Sequence, residues 1–285
     1  MKKLNLLSIT ALFISLLFSS CSKFEVVRGT GPIVQETIQA PGSFSGVALN
    51  GCFDMEVIVG DTESITLEGQ QNIIDRLEIY VDHHGMLQFD LEDGSYRNVE
   101  LKIYVSTPYA DKFHIAGSGD MDVYMDEVES VVLDMLELKV TGSGDMRGHG
   151  NFEVDGNVTT DIDGSGDVSF QFECDGLLAN ILGSGDYHFE VLANQVNASV
   201  EGSGDYHISG TAPIQKIKIV GSGDYNAFNF PAHTLDVDIL GSGDVKCNVR
   251  DQLDIDIIGS GDVYYKGQPS INVQISGSGE VVNSN

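Results

Sequence analysis

Carboxylates recur at a fixed place in this chain. Asp120, Asp145, Asp167, Asp186, Asp205, Asp224, Asp244 and Asp262 each close a Gly-Ser-Gly-Asp tetrapeptide, and Glu280 closes a further copy. The copies begin at Gly117, Gly142, Gly164, Gly183, Gly202, Gly221, Gly241, Gly259 and Gly277, at intervals of 25, 22, 19, 19, 19, 20, 18 and 18 residues. A side chain returning at a near-constant period forms a column when successive repeats stack. Carboxylates stacked ~5 Å apart repel by about 1 kcal/mol even in water. Two chemistries relieve that repulsion: each Asp accepts hydrogen bonds from its own corner amides, or cations bridge neighbours. The first is expected here, because calcium-binding solenoids rich in Gly and Asp repeat every nine residues or so with a different glycine pattern.

Other groups invite the same weighing. Asp236 and Asp238 on one strand and Asp254 and Asp256 on the next fall in outward slots, so stacking makes a two-by-two acidic patch. A calcium ion suits such an oxygen-only set, against the plainer reading of a face screened by salt. His188 and His207 sit one repeat apart and face out. Two imidazoles without a third ligand make a weak metal site, and a solvated face is the expectation. His83-His84-Gly85 is read as a solvated turn on the same ground. Arg147 and His149 beside Asp145 are the nearest approach to a catalytic cluster. No Ser-His-Asp signature, phosphate loop or zinc motif accompanies them, so the chain is expected not to be an enzyme. The alternative is a polysaccharide-acting β-helix enzyme, a lyase or glycoside hydrolase, which needs two carboxylates ~5 to 10 Å apart in a groove.

The elements that hold these groups are strands. Two residues before each tetrapeptide stand Ile115, Val140, Ile162, Ile181, Val200, Ile219, Ile239, Ile257 and Ile275, and the residue before each of those is polar. After the tetrapeptide, Val168, Tyr187, Tyr206, Tyr225, Val245 and Val263 resume the apolar slots. Period-two alternation with β-branched residues inside marks half-buried strands. The expected fold is all-β: a single right-handed parallel β-helix, or solenoid, of about 18–22 residues per coil, each coil being strand, tight corner, strand and return loop. Pro213, Pro231 and Pro269 are assigned to return loops, and the acidic stretch 121–141 to a bulging one. The three tyrosines should stack in the core with their hydroxyls on backbone partners.

Lys2 and Lys3, an apolar run from Leu4 to Phe18, and Ser19-Ser20-Cys21 form a secretory leader, whose end resembles a bacterial lipobox. Residues 1–20 are therefore assigned to the leader, Cys21 to lipidation, and 21–28 to a short linker. The chain is expected to be exported and lipid-anchored at the outer membrane or cell surface. Forty-three acidic residues against 15 basic give a net charge of −28, which excludes nucleic acid as a partner. Cys52, Cys174 and Cys247 stand at no metal-like spacing and are expected to be buried.

Residues 29–116 are read as irregular N-terminal coils and cap, and 117–285 as the regular solenoid. In the first part Val47, Leu49, Asp54, Met55 and Val57 mark a degenerate first coil, and the residues between Gly51 and Gly117 leave room for three more. Ile33 to Ile38 should supply a strand covering the open first coil.

Gly29-x-Gly31-Pro32-Ile33-Val34-x-Glu36, Phe44-x-x-Val47, Gly51-x-Phe53-Asp54, Asn72 to Asp75, Pro108 and the serial corners together resemble the family called putative auto-transporter adhesin, head GIN domain. The resemblance implies an exported bacterial β-solenoid, often a lipoprotein, and brings no catalytic residues with it. The expected role is a non-enzymatic binding or structural module of the cell envelope, held to the membrane by lipid, with a surface glycan or protein as ligand. No cofactor is expected beyond the calcium considered above.

Overall fold

The structure, a computed structural model, describes residues 26–125 and 131–285. The leader, Cys21 and residues 126–130 of the acidic stretch lie outside the described residues. The fold is an all-β, largely parallel solenoid. Successive repeats pair in register, so Ile115, Val140, Ile162, Ile181, Val200, Ile219, Ile239, Ile257 and Ile275 form one column across the strands. All but Ile275 are buried. Apolar side chains at alternate positions meet their own equivalents one coil away, so each coil's core surface is covered by its neighbours.

The expected return loop is absent from the most regular coils. Val168–Gly183, Tyr187–Gly202, Tyr225–Gly241 and Val245–Gly259 each run as one bent strand from corner to corner. Both halves of the coil find parallel partners on the next coil, so extended backbone satisfies its hydrogen bonds without a loop. Between Val168–Gly183 and Tyr187–Gly202, only Asp175 and Asn194 drop out of the register, and the Asn194 amide donates to Asp175 Oδ1 at 3.1 Å. Pro231 lies inside a strand rather than in a loop, at the point where the register shifts between Asn226 and Pro231, an irregularity of the kind that admits proline in a sheet.

The N-terminal region departs further from expectation. Gly46–Gly51 pairs directly with Lys112–Gly117, and Asp54–Val59 with Met121–Met125, so no coils intervene between Gly51 and Gly117. The intervening chain goes to the other side: Met86–Leu91 and Leu101–Thr107 add one outer coil by parallel pairing. Ser64–Gln70, Leu77–Val81 and Ile33–Ile38 then pair antiparallel and close that end. Antiparallel capping ends the stack of in-register coils, which guards an otherwise open edge. Asp82 makes the turn between two of these strands, its Oδ1 accepting the backbone N–H groups of His84 and Met86 at 2.8 and 3.0 Å.

The corner requires glycine twice over. Gly241 has φ of +144°, and a Cβ there would lie 2.0 Å from the carbonyl oxygen of Gly221 on the preceding coil. Cys174 and Cys247 are buried as expected, but Cys52 is exposed. It aligns with the outward Ser118 of the next corner, since Gly51 pairs with Gly117. Burial pushes the Cys174 thiol up to about 11 and the Cys247 thiol up to about 12, which keeps both protonated near neutral pH.

Candidate functional site

The carboxylate column is built by the corners themselves. The backbone N–H of each corner residue donates to Oδ1 of the corner Asp one coil before it, from Asp120 on Asp54 (3.2 Å) through Asp224 on Asp205 (2.7 Å) to Glu280 on Asp262 (2.8 Å). The expected bond to a residue's own corner is thus replaced by a bond between coils. The cause is geometric: stacking brings the next corner's amide within reach of the carboxylate. Amide donors stabilise the ionised oxygens and offset the repulsion along the column.

The core beside this column carries the expected tyrosines. Tyr187 Oη donates to Asn180 O at 2.9 Å and Tyr206 Oη to Ala179 O at 2.6 Å, while Tyr225 Oη reaches the buried side chain of Gln215 at 3.4 Å. Burial drives all three phenols far above their ordinary value, so they act as neutral hydrogen-bonding groups of the core.

Outside, the register sets Asp236 opposite Asp254 and Asp238 opposite Asp256. Lys216 reaches this patch from the preceding coil, with Nζ 2.8 Å from Asp236 Oδ2 and 3.7 Å from Asp238 Oδ2. Next to it runs a column that the sequence reading passed over: Leu182, Glu201, Val220, Leu240 and Ile258, the residues directly before each corner. Leu182 is 53 % exposed, and Leu240 and Ile258 are each 52 % exposed. Together with Lys218, Asp238 and Asp256, residues Val220, Leu240 and Ile258 line a shallow trough. Its signal was present in the alternation, since these positions share the outward parity of the polar slots two residues earlier.

His188 and His207 lie side by side as expected, their rings 4.8 Å apart at centroids and inclined by 4°. Asp186, two residues before His188, joins them, and one ligand atom from each of the three lies within 4.8 Å of the others. Among the described residues this is the only such group of three or more, and the four aspartates of the acidic patch do not gather in this way. Arg147 is bound into the corner column, 2.6 Å from Asp145 Oδ2 and 3.5 Å from Asp120 Oδ2. His149 is held by Asp122 at 2.8 Å and stacks on Tyr124. His83 and His84 contact each other at the turn.

Three solved structures share the architecture. A protein described as a putative adhesin from Parabacteroides distasonis superposes with a TM-score of 0.69 at 18 % identity, covering 90 % of this chain and 99 % of that one. One described as a putative lipid binding protein from the same organism gives 0.65 at 21 %, covering 91 % and 100 %. A putative adhesin from Parabacteroides merdae gives 0.67 at 16 %, again covering 91 % and 100 %. At these identities the likeness is one of fold. No curated protein matches the chain. The model of the family described as "Putative auto-transporter adhesin, head GIN domain" matches residues 43–269, most of the chain, and the protein belongs to that family.

Proposed function

We infer that the protein is a non-enzymatic module of the cell envelope, exported and lipid-anchored through Cys21, whose outer sheet binds a surface glycan or protein. The observation that carries this reading is the trough of Val220, Leu240 and Ile258 rimmed by Lys218, Asp238 and Asp256. An exposed apolar strip with polar borders is the surface that recognition uses. Sugar rings and peptide segments both offer apolar faces edged by hydrogen-bonding groups, which suits such a strip. Fold neighbours described as adhesins support the reading. The division into leader 1–20, linker 21–28, cap region 29–116 and regular solenoid 117–285 belongs to the same proposal. So does a right-handed coil of about 18–22 residues, since parallel crossovers are right-handed in about 98 % of cases.

Calcium bridging Asp236, Asp238, Asp254 and Asp256 is a part of the proposal that rests on register alone. It requires that millimolar calcium raise the melting midpoint more than sodium chloride of matched ionic strength does. The excess must vanish in the Asp238→Asn, Asp256→Asn double variant.

A glycan and surface-protein array probed with the purified chain tests the binding reading. Leu240→Ser and Ile258→Ser, which take the residue type of Ser276 in the same column, should reduce the signal to background without lowering the melting midpoint. Binding unchanged in both variants would remove the trough from the account, and shortened glycan recovered after incubation would overturn the non-enzymatic part.

A further inference from the structure

We propose that Asp186, His188 and His207 form a binding site for a divalent transition cation, with zinc as the reference ion. This goes beyond the adhesive reading and does not depend on it. The parallel register fixes His188 beside His207, and the corner residue Asp186, two positions before His188, brings its carboxylate to both. The three ligand atoms lie within 4.8 Å of one another. Around a tetrahedral zinc ion, nitrogen and oxygen ligands at about 2.0 to 2.2 Å from the metal stand about 3.4 Å from each other. Both histidines are exposed and Asp186 is half-buried, so small χ rotations at the histidines close that gap.

Availability separates these histidines from three of the others, and the corner Asp186 separates them from the His83–His84 pair at the cap turn. His114, His149 and His233 each have a carboxylate partner. Among the described residues, the side chains of His188 and His207 have no hydrogen bond or ion pair, and their rings rest on one another. Asp186 is held in place from outside the cluster, because its Oδ1 accepts the backbone N–H of Asp205 at 2.8 Å. A carboxylate anchored in this way beside two imidazoles is a ligand already held in place. The repeat supplies its own comparison: the same column carries Ser169, Asn226, Lys246 and Tyr264 on other coils, so the corner Asp recurs but the ligand set arises once.

The donor set names the class of ion. Imidazole nitrogen suits zinc, nickel and copper, whereas calcium takes oxygen ligands throughout. The net charge of −28 concentrates cations at the surface. Three protein ligands on an open face leave coordination positions for water or for a donor atom of a bound partner.

Isothermal titration of the full chain in detergent, produced without a histidine tag, tests the site with zinc. One saturable event of about one ion per chain is expected, undisturbed by a large excess of calcium. His188→Ser and His207→Asn take residues found in the same column, so their melting midpoints should match the parent. Outer-shell changes at metal sites cost about 10- to 100-fold in affinity, so removing a ligand should cost at least about tenfold in each variant. Asp186→Asn, which keeps an oxygen for Asp205, should also weaken zinc. No saturable binding, or zinc affinity unchanged in both histidine variants, would overturn the proposal.

Discussion

Oδ1 of Asp224 accepts the backbone N–H of Asp244 at 2.8 Å, a bond that joins two coils 20 residues apart through a single carboxylate. Asp224 is half-buried, so its removal leaves the Asp244 amide short of a partner in a partly desolvated corner. Asp224→Ala should therefore cost about 1 to 3 kcal/mol in urea unfolding, and Asp224→Asn, which keeps an acceptor oxygen, clearly less. Equal losses in the two variants would mean that the carboxylate acts through charge and not through this bond.

Ile219 and Lys218 are chain neighbours on opposite sides of one strand, the first fully buried and the second exposed. Ile219→Ala opens a cavity between Val200 and Ile239, its partners in the column, and should lose about 2 to 5 kcal/mol. Lys218→Ala should stay within about 0.5 kcal/mol of the parent. The difference between the two midpoints in denaturant measures the facing of the strand directly.

The corners were legible because their constraints are local. A glycine whose Cβ would strike the previous coil must recur wherever the chain turns, so Gly221 and Gly241 announce themselves and the Ile column follows by parity. Pairing across the cap was not legible, because nothing in the chain between Gly51 and Gly117 says whether coils fill the gap or hairpins fold back outside it. The partner of each corner Asp escaped for a related reason: a bond to the next coil looks, in sequence, like a bond to its own turn. Asp186 belongs to that column by its place in the tetrapeptide, which masks its second relation to His188 and His207.

Membrane attachment is expected to depend on Cys21. Among the described residues no helix is long and apolar enough to cross a bilayer, and the strongly acidic composition gives no attraction to anionic lipid. On the proposed reading, acyl chains on Cys21 are the anchor. Cys21→Ser should move the protein from the membrane pellet to the salt-washed supernatant. A variant that still pellets completely after the wash would rule out lipid at this position as the anchor.

His114 provides a pH response whose sign the structure fixes. Its Nε2 lies 2.8 Å from Glu137 Oε1, and the side chain is 27 % exposed. Burial is the largest influence and pushes the imidazole below its ordinary value of 6.5; Glu137 opposes that shift, while Lys139 and Lys112 add to it. Above pH 6.5 both folded and unfolded chains hold a neutral ring, and the residue contributes no pH dependence. As pH falls through 6.5 the unfolded chain takes up a proton that the folded chain still refuses. Stability therefore drops until the lowered folded-state value is passed, and then levels. His114→Gln removes this increment while carboxylate titration elsewhere continues. Between about pH 7.5 and 5.5 the parent should lose more stability in urea unfolding than the variant does. A parent that instead gains stability relative to the variant on acidification would show that Glu137, and not burial, governs the ring.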